Sequence, residues 1–139
     1  KGREQILLNE ILIKDYVDNK YTKFKINTSI DEAIKKLQLH KNTEGYIISS
    51  NNQYLGKVNL LDLIKVNKRE IQKCVLKKPL IIDPKTSLLE VIRNLTDFVG
   101  ESIPVVDKKT NQMLGIISEN DVLAAYLEIS EEINQIEKH

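Results

Sequence analysis

The sequence predicts a mixed α+β fold made of two similar halves that pack face to face. Two helix-capping boxes, Ser29-Ile30-Asp31-Glu32 and Ser87-Leu88-Leu89-Glu90, stand 58 residues apart. Each box opens an apolar stripe with the spacing i, i+3, i+4, i+7, which is typical of an amphipathic helix. Two short apolar runs around a turn follow each stripe, and then a Gly-x-x-x-x-x-Asp run, at Gly56–Asp62 and Gly115–Asp121. The same features in the same order indicate an internal duplication.

The elements of the first half follow from alternation, helical spacing and turn residues. Residues 5–13 are mostly apolar and predict either a short helix or an irregular lead-in. After them the pattern predicts a strand, a helix, two strands joined by a turn, and a short helix. These elements correspond to residues 20–27, the helix from Ser29, residues 45–49 and 54–58, and the helix from Asn59.

The second half repeats that order and ends in a longer helix. The corresponding elements are a strand at 77–82, the helix from Ser87, strands at 103–107 and 112–117, and a final helix from Val122. Apolar residues of this helix recur with a 4-3-4-3 spacing, at Val122, Tyr126, Ile129, Ile133 and Ile136. Either this seam extends past the core and packs on a partner, or its first part covers the core and its end frays.

Neither half is large enough to be stable alone. Each has about 58 residues and presents one apolar face on its helices and strands, so a half by itself would be marginally stable. Two halves related by a pseudo-twofold axis would bury one shared core. The groove between them would then have two equivalent clefts, and a helix N-terminus would lie at each one.

The composition excludes several classes of function. The 21 basic and 20 acidic residues nearly balance, so no overall field favours nucleic acid or an anionic membrane. The apolar runs are far shorter than the roughly 18 residues of a membrane span, and we expect no direct membrane insertion. Cys74 is the only cysteine, which precludes an intrachain disulfide and fits a reducing compartment. With only His40 and His139 beside it, no zinc site is expected.

The segment Leu114-Gly115-Ile116-Ile117-Ser118-Glu119-Asn120-Asp121-Val122-Leu123 carries the main candidate chemistry. A short strand ends at Ser118, and Asp121 follows in the first turn of a helix. A helix N-terminus offers free backbone N–H groups that bind phosphate, and an aspartate there can accept hydrogen bonds from a ribose diol. The alternative is a plain capping box, in which the two side chains satisfy each other's backbone donors. The segment alone leaves both interpretations open.

Over about residues 11–128 the chain resembles a tandem pair of cystathionine-β-synthase (CBS) domains, a Bateman module. The resemblance rests on Thr86-Ser87-Leu88-Leu89-Glu90-Val91, on Ser102-Ile103-Pro104-Val105-Val106-Asp107 and on the segment 114–123. It implies a βαββα core in each repeat, two repeats packed by their sheets, and regulation rather than catalysis. It also implies that an adenine nucleotide or S-adenosylmethionine binds in the clefts between the repeats.

Carried over residue by residue, the resemblance predicts a first cleft. In it Asp121 would bind the ribose hydroxyls, and Ser118 with nearby N–H groups would bind phosphate. Residues 43–46 would form the wall beside the adenine, where Tyr46 either stacks on the base or belongs to the core. Glu44 would weaken phosphate binding unless it points away. The candidate residues are Thr28, Thr43, Glu44, Gly45, Tyr46, Ser118, Asn120 and Asp121.

The same resemblance predicts a second, weaker cleft related to the first by the repeat. Its candidate residues are Thr86, Glu101, Ser102, Asn59 and Asp62. Asn59 stands where the family has a serine or threonine. It can still cap a helix, but it lacks the hydroxyl at the phosphate position, so we expect this cleft to be weaker or empty. A second departure is Ile47, which we place at the position of the strand proline.

Two segments, Gly100–Val106 and Asp121–Leu127, resemble the cytoplasmic CBS pair of ClC chloride channels and transporters. This resemblance implies a regulatory domain on the cytoplasmic side of a membrane, soluble as an isolated chain, with the transmembrane part of the parent transporter outside this sequence. The first residue is lysine, not methionine, which agrees with an excised C-terminal domain. A homodimer is the expected assembly.

The sequence therefore predicts a regulatory module that senses ATP, ADP or AMP and needs no obligatory cofactor. The alternative is a dimerisation or interaction platform that binds no nucleotide. An enzyme is not expected, because no nucleophile has a base placed for it, no metal set is present and no Walker-type phosphate loop occurs. The expected domain limits are 1–10 for the lead-in, 11–66 and 67–128 for the repeats, and 129–139 for the helix extension.

Overall fold

The computed structural model of the chain describes residues 2–65, 70–76, 79–98 and 100–138. Ten α-helices and β-strands lie within these residues, and each type is numbered in chain order. They are α1 (Gly2–Glu10), β1 (Lys23–Phe24), α2 (Ile30–His40), β2 (Glu44–Ile48), β3 (Tyr54–Asn59), α3 (Leu60–Lys65), α4 (Leu88–Asn94), β4 (Ser102–Val106), β5 (Met113–Ser118) and α5 (Glu119–Lys138). The order strand, helix, strand, strand, helix of the first repeat agrees with the predicted fold.

Two small sheets carry the repeats. In the first, β1 runs parallel to β2, and β2 pairs antiparallel with β3. In the second, β4 pairs antiparallel with β5 in the same register as β2 with β3, because Ile47 lies opposite Gly56 and Val105 opposite Gly115. The register shifts at the equivalent place in both hairpins, between Ile47 and Ile48 in the first and between Val105 and Val106 in the second. The duplication read from the sequence is therefore present in the strand pairing.

The capping boxes begin both predicted helices. The Ser29 side chain accepts a hydrogen bond from the backbone N–H of Glu32 at 3.1 Å, and α2 follows. Ser87 accepts from the N–H of Glu90 at 3.2 Å, and α4 follows. Each serine satisfies one of the donors that a helix N-terminus leaves without an intrahelical partner. Both helix starts were correctly predicted.

Two predicted strands are much shorter than expected. The strand at 20–27 is reduced to β1, because a turn closed by Thr28 N–H and the Lys25 carbonyl follows at once. The predicted strand at 77–82 was wrong for the described residues 79–82, since only Ile82 forms a bridge, with Val105. Asp83 ends this pairing by accepting from the N–H groups of Lys85 and Lys108. Lys77 and Lys78 lie outside the described residues.

The segment that precedes each repeat packs in the hydrophobic cluster of the other repeat. Leu8 and Ile13, from the start of the chain, belong to the hydrophobic cluster of the second repeat. Ile71 and Cys74, from the segment between the repeats, belong to the cluster of the first repeat. Both clusters therefore take residues from each side of the expected limit between residues 66 and 67. A third cluster lies between the two sheets and holds Tyr46, Ile48, Tyr54, Val106 and Met113.

The N-terminal segment also joins the second sheet through its backbone. Asp18 N–H donates to the Ile116 carbonyl and Ile116 N–H donates to the Asp18 carbonyl, both at 2.8 Å. This two-way bridge attaches the lead-in of the first repeat to β5 of the second. The two repeats are therefore connected by backbone hydrogen bonds as well as by apolar packing.

Helix α5 packs on the chain's own N-terminal helix α1 as well as on α4 and β5. Ile129 and Ile133 of the predicted seam are buried in the same cluster as Leu8 of α1. The Tyr126 hydroxyl donates to the Glu4 carboxylate at 2.6 Å, which joins the two helices. Only Ile136, at the end of the seam, is exposed, with 63% of its surface accessible. The middle of the seam therefore needs no partner chain to bury it.

We expect Gly115→Ala to destabilise the fold by about 1–3 kcal/mol, because a methyl group there would collide with the backbone oxygen of Asp18 and with Val17. The backbone φ of Gly115 is +158°, a value that residues with a side chain rarely adopt, and this adds to the cost of the substitution. Urea denaturation measures the change. Gly2→Ala is the control, since nothing lies near its added methyl group, and it should alter stability by less than about 0.5 kcal/mol. Equal stability of both variants would contradict the bridge between Asp18 and β5.

Candidate functional site

The first cleft lies between the repeats and takes residues from both. Its volume is about 140 Å³. The first repeat supplies the segment before β1, the approach to β2 and the start of β2, while the second supplies the start of β4 and the end of β5. The lining residues are Lys20, Tyr21, Thr22, Asn42, Glu44, Tyr46, Glu101, Ser102, Ile116 and Ser118.

The wall on the side of the first repeat is fixed by hydrogen bonds around Thr22. This threonine is fully buried, and its carbonyl accepts from Tyr46 N–H at 2.9 Å. The Asn42 amide donates to the Thr22 hydroxyl at 2.7 Å, and the His40 Nδ1 lies 3.0 Å from the same oxygen. His40, at the end of α2, therefore has a partner in the wall of the cleft.

Ser118 and Asp121 form a reciprocal cap at the start of α5. The Ser118 N–H donates to Asp121 Oδ2 at 3.0 Å, and the Asp121 N–H donates to the Ser118 hydroxyl at 3.1 Å. This is the capping arrangement that the sequence left open beside the nucleotide interpretation. The cap uses one carboxylate oxygen of Asp121, and Oδ1 is not part of it. The cap and a role toward a ligand therefore do not exclude each other.

A buried ion pair joins the two repeats beside the cleft. Lys57 Nζ lies 3.1 Å from Glu44 Oε2, and the two side chains are 4% and 5% exposed. The ammonium also donates to the Ser102 carbonyl at 2.6 Å. Glu44 Oε1 accepts from the N–H groups of Glu101 and Ser102, at 3.2 and 2.9 Å. Both charges belong to the first repeat, and both bind the backbone at the start of β4.

A chain of hydroxyl groups ends on the same carboxylate. Ser102 donates its only hydroxyl proton to Glu44 Oε1 at 2.9 Å. The Tyr46 hydroxyl lies 2.6 Å from the Ser102 oxygen and must therefore be the donor of that hydrogen bond. Burial raises the pKa of the Tyr46 hydroxyl far above its usual value, which keeps this donor protonated. Both oxygens of the Glu44 carboxylate therefore have partners.

The structure brings only part of the predicted first cleft together. Glu44, Tyr46 and Ser118 line it, and Asp121 adjoins it through its bond to Ser118 N–H. Four other predicted residues lie elsewhere. Gly45 faces the core on the opposite side of β2, Thr43 is exposed and its carbonyl accepts from Leu60 N–H, and Thr28 and Asn120 line other grooves.

The predicted second-cleft residues are also divided. Glu101 and Ser102 line the first cleft. The Thr86 carbonyl accepts a hydrogen bond from Ile13 N–H at 2.8 Å, so the Thr86 backbone binds the segment that precedes the first repeat. Asn59 caps α3 through Leu61 N–H at 2.8 Å, and Asp62 lies half-buried in the first turn of that helix.

One register assignment from the sequence was wrong. Tyr46, not Ile47, occupies the position of Pro104, because Tyr46 lies opposite Lys57 and Pro104 lies opposite Ile116. The 58-residue offset of the capping boxes continues unchanged into β2 and β4, and the offset changes by one residue only in the hairpin turn. Tyr46 can therefore donate across the interface, which a proline could not.

The residues that complete the cleft and the lysine of the ion pair were not predicted. Lys20, Tyr21, Thr22 and Asn42 come from irregular segments whose positions depend on the packing of the repeats. Lys57 lies between Gly56 and Val58 in a mostly apolar strand, and a charged residue in such a place is a signal for a buried partner. The position of Lys57, taken together with Glu44 at the start of the neighbouring strand, could have predicted the ion pair.

The described residues give no sign of a metal centre or a membrane span. Within them, no group of three His, Cys, Asp or Glu side chains lies close enough to hold an ion. None of the helices in the described part of the chain combines the length and apolar character that crossing a membrane requires.

The fold defined by these repeats is that of a CBS domain pair, or Bateman module. Residues 68–128, the second repeat, match the family model of the CBS domain. No curated protein matches the chain significantly.

Three solved structures illustrate the likeness. CBSX2 from Arabidopsis thaliana, in complex with AMP, is 24% identical with a TM-score of 0.75, and the match covers 86% of this chain and 98% of that one. CbpB in complex with c-di-AMP is 16% identical with a TM-score of 0.80, and the match covers 96% of both chains. The CBS pair domain of a putative Mg²⁺ transporter from Shewanella oneidensis MR-1 is 19% identical with a TM-score of 0.73, and the match covers 95% of this chain and 79% of that one.

We expect Lys57→Met to destabilise the protein by about 3–5 kcal/mol, because Glu44 would keep its charge in a buried site without its cation. The double variant Glu44→Gln/Lys57→Met should recover most of this loss, since neither charge is then buried alone. Chemical denaturation of the natural protein and both variants measures the two effects.

Lys73→Met is the matched control. Its ion pair with Glu70 is exposed and 3.9 Å long, so its loss should cost less than about 1 kcal/mol. A Lys57→Met variant as stable as this control would show that the buried pair contributes nothing.

Proposed function

We propose that this chain is a regulatory module that binds an adenine nucleotide in the first cleft. The observation that carries the proposal is the composition of that cleft, which joins strands of one repeat to a helix N-terminus of the other. A ligand held there touches both repeats and so can change how they sit relative to each other. The AMP and c-di-AMP complexes of proteins with the same fold support this choice of ligand.

The proposed roles follow the chemistry of the side chains. Tyr21 lines the cleft and is half-buried, so its ring offers an aromatic wall for the base, whereas Tyr46 is 1% exposed and belongs to the core cluster between the sheets. Asp121 Oδ1 is left by the cap to accept from a ribose hydroxyl. Ser118 and the first N–H groups of α5 suit phosphate. Glu44 does not oppose the phosphate, because its charge is balanced by Lys57.

The charges around the cleft favour AMP over ADP and ATP. Lys20 is the only cation among the described lining residues, and Glu101 adds a carboxylate to the same wall. Each further phosphate group would therefore add negative charge without a matching cation. We propose a nucleoside monophosphate as the preferred regulatory ligand, with no obligatory cofactor and no catalytic step.

The size of the cleft suggests how binding would act. Its 140 Å³ is below the roughly 300–1,000 Å³ of typical small-molecule sites, so a nucleoside would have to spread the repeats. Spreading would move α1 and the lead-in, which are attached to the second repeat. The change can be no larger than the ligand's preference for the spread arrangement over the closed one.

We further propose that the module regulates a membrane transport protein, specifically a ClC-type chloride channel or transporter, from its cytoplasmic side. The support is the resemblance of Gly100–Val106 and Asp121–Leu127 to the ClC pair, and the transporter domain among the similar folds agrees with the broader class. Reading the coding sequence on both sides of this segment tests it. A parent without membrane-spanning segments would contradict it.

We expect Asp121→Ala to lower the affinity for AMP by roughly 10- to 150-fold, the loss of about 1.5–3 kcal/mol from a hydrogen bond to a charged group. Isothermal titration calorimetry with AMP, ADP and ATP measures it. Asp121→Asn keeps an oxygen for the Ser118 cap and separates ligand binding from helix capping.

Glu119→Ala is the matched control, because this carboxylate lies in the same helical turn but lines the groove between α4 and α5. It should bind AMP like the natural protein. Equal affinities of the Asp121 and Glu119 variants would remove Asp121 from the site.

The second candidate function is a dimerisation platform that binds no nucleotide. It is favoured by the exposed apolar side chains on two helices, Leu61 and Ile64 on α3 and Leu123 and Leu127 on α5, each more than half accessible. The closed Ser118–Asp121 cap and the small cleft agree with it as well. A second copy of the chain is the proposed partner.

We expect Leu123→Glu/Leu127→Glu to convert a dimer to a monomer, because charges would be buried at the interface. Sedimentation equilibrium measures the mass, with Leu39→Glu as a control on an exposed position of α2. A monomeric natural protein would contradict the platform. A dimer that gives no heat with any adenosine compound would favour it over nucleotide sensing.

A further inference from the structure

We infer that each chain binds one ligand and not two, because the Glu44–Lys57 ion pair already occupies the second cleft. The inference rests on the proposed function of the first cleft and adds to it the number and place of the ligands. The pseudo-twofold symmetry of the repeats would allow two sites. If only one binds a ligand, the residues at equivalent positions of the two clefts must differ.

The strand register identifies which residues are equivalent in the two clefts. Lys57 lies opposite Tyr46 in the first hairpin, as Ile116 lies opposite Pro104 in the second. Glu44 begins β2 as Ser102 begins β4. Lys57 in the second cleft is therefore equivalent to Ile116 in the first. Glu44 in the second cleft is equivalent to Ser102 in the first.

The side chains at the equivalent positions of the two clefts differ in length and in charge. In the first cleft, Ser102 is short and Ile116 carries no charge, and both line the 140 Å³ that is left. On the second side, the longer Glu44 and Lys57 reach across and meet each other at 3.1 Å. Lys57 is only 3% exposed, so its chain is packed inside the protein and does not extend into solvent.

Two aromatic rings and the backbone at Gly100 lie close to the ammonium group of Lys57. Its nitrogen lies 5.4 Å from the centre of the Phe98 ring and 5.9 Å from that of Tyr46. A methyl group on Gly100 would lie 3.3 Å from the same nitrogen and 3.1 Å from Glu44 Oε2. Glycine at this position, with φ of +147°, lets the backbone approach the pair closely.

The pair also uses the backbone groups that a ligand would need. The edge of a purine base offers both a donor and an acceptor, and backbone N–H and carbonyl groups at a strand start can bind it. In this cleft the N–H groups of Glu101 and Ser102 donate to Glu44, and the Ser102 carbonyl accepts from Lys57. A base could bind there only by separating two buried charges, which is strongly unfavourable.

Calorimetric titration with AMP tests the inference, and we expect a stoichiometry of one AMP per chain. Asp121→Ala and Asp62→Ala show which cleft is used, because each removes the carboxylate from one helix start. The affinity for AMP should fall in the first variant and stay unchanged in the second. Two ligands per chain would overturn the inference and leave the proposed function standing. An affinity lowered by Asp62→Ala and not by Asp121→Ala would overturn both. No binding of AMP by the natural protein would overturn both.

A second variant tests the ion pair itself. Glu44→Ser/Lys57→Ile gives the second cleft the side chains of the first and leaves no charge buried alone. Adding Asp121→Ala to it weakens the first cleft, which Glu44 also lines. Adding Asp62→Ala to the triple variant then shows which cleft gives the remaining heat, and a gain that Asp62→Ala does not remove would count against the role of the pair. Circular dichroism confirms that the variant is folded. We expect this folded triple variant to bind AMP more tightly than Asp121→Ala alone, and equal binding by the two would overturn the role of the pair.

Discussion

The ion pair between Glu44 and Lys57 is the interaction on which the arrangement of the two repeats depends. Both charges are buried, and both reach from the first repeat to the backbone of the second at Glu101 and Ser102. Apolar packing between sheets has no direction and would tolerate small rotations. The charged hydrogen bonds are directional, so any change in the tilt of the repeats or in the width of the first cleft must stretch or rearrange them.

The duplicated fold is symmetric in its backbone and asymmetric in its chemistry. The two hairpins share a register and the two helices share a serine cap, whereas the interface positions carry Glu44 and Lys57 on one side and Ser102 and Ile116 on the other. Exchange of the lead-in segments makes each repeat part of the other's core. A change in tilt must therefore reach α1, which is the physical basis of the proposed regulatory role.

The sequence carried enough information for the fold and less for the site. Local signals sufficed where the structure is local: the capping serines, the hairpins and α5 were predicted close to their observed bounds. The predicted strand failed over the described residues 79–82, because an apolar run does not tell how many of its residues find a pairing partner. Lys20, Thr22 and Asn42 could not be foreseen, because irregular segments become a wall only when the repeats dock. Glu44 was singled out, but its partner Lys57 comes from the next strand.

A crystal structure of the chain grown with AMP is the most direct test of ligand sensing between the repeats. We expect density for one nucleotide, in contact with Tyr21 and Ser118 and with its ribose at Asp121, and the Glu44–Lys57 pair intact beside it. Density on the other side, with Lys57 displaced, would contradict ligand sensing in the first cleft. So would an unchanged first cleft at AMP concentrations that saturate binding in solution.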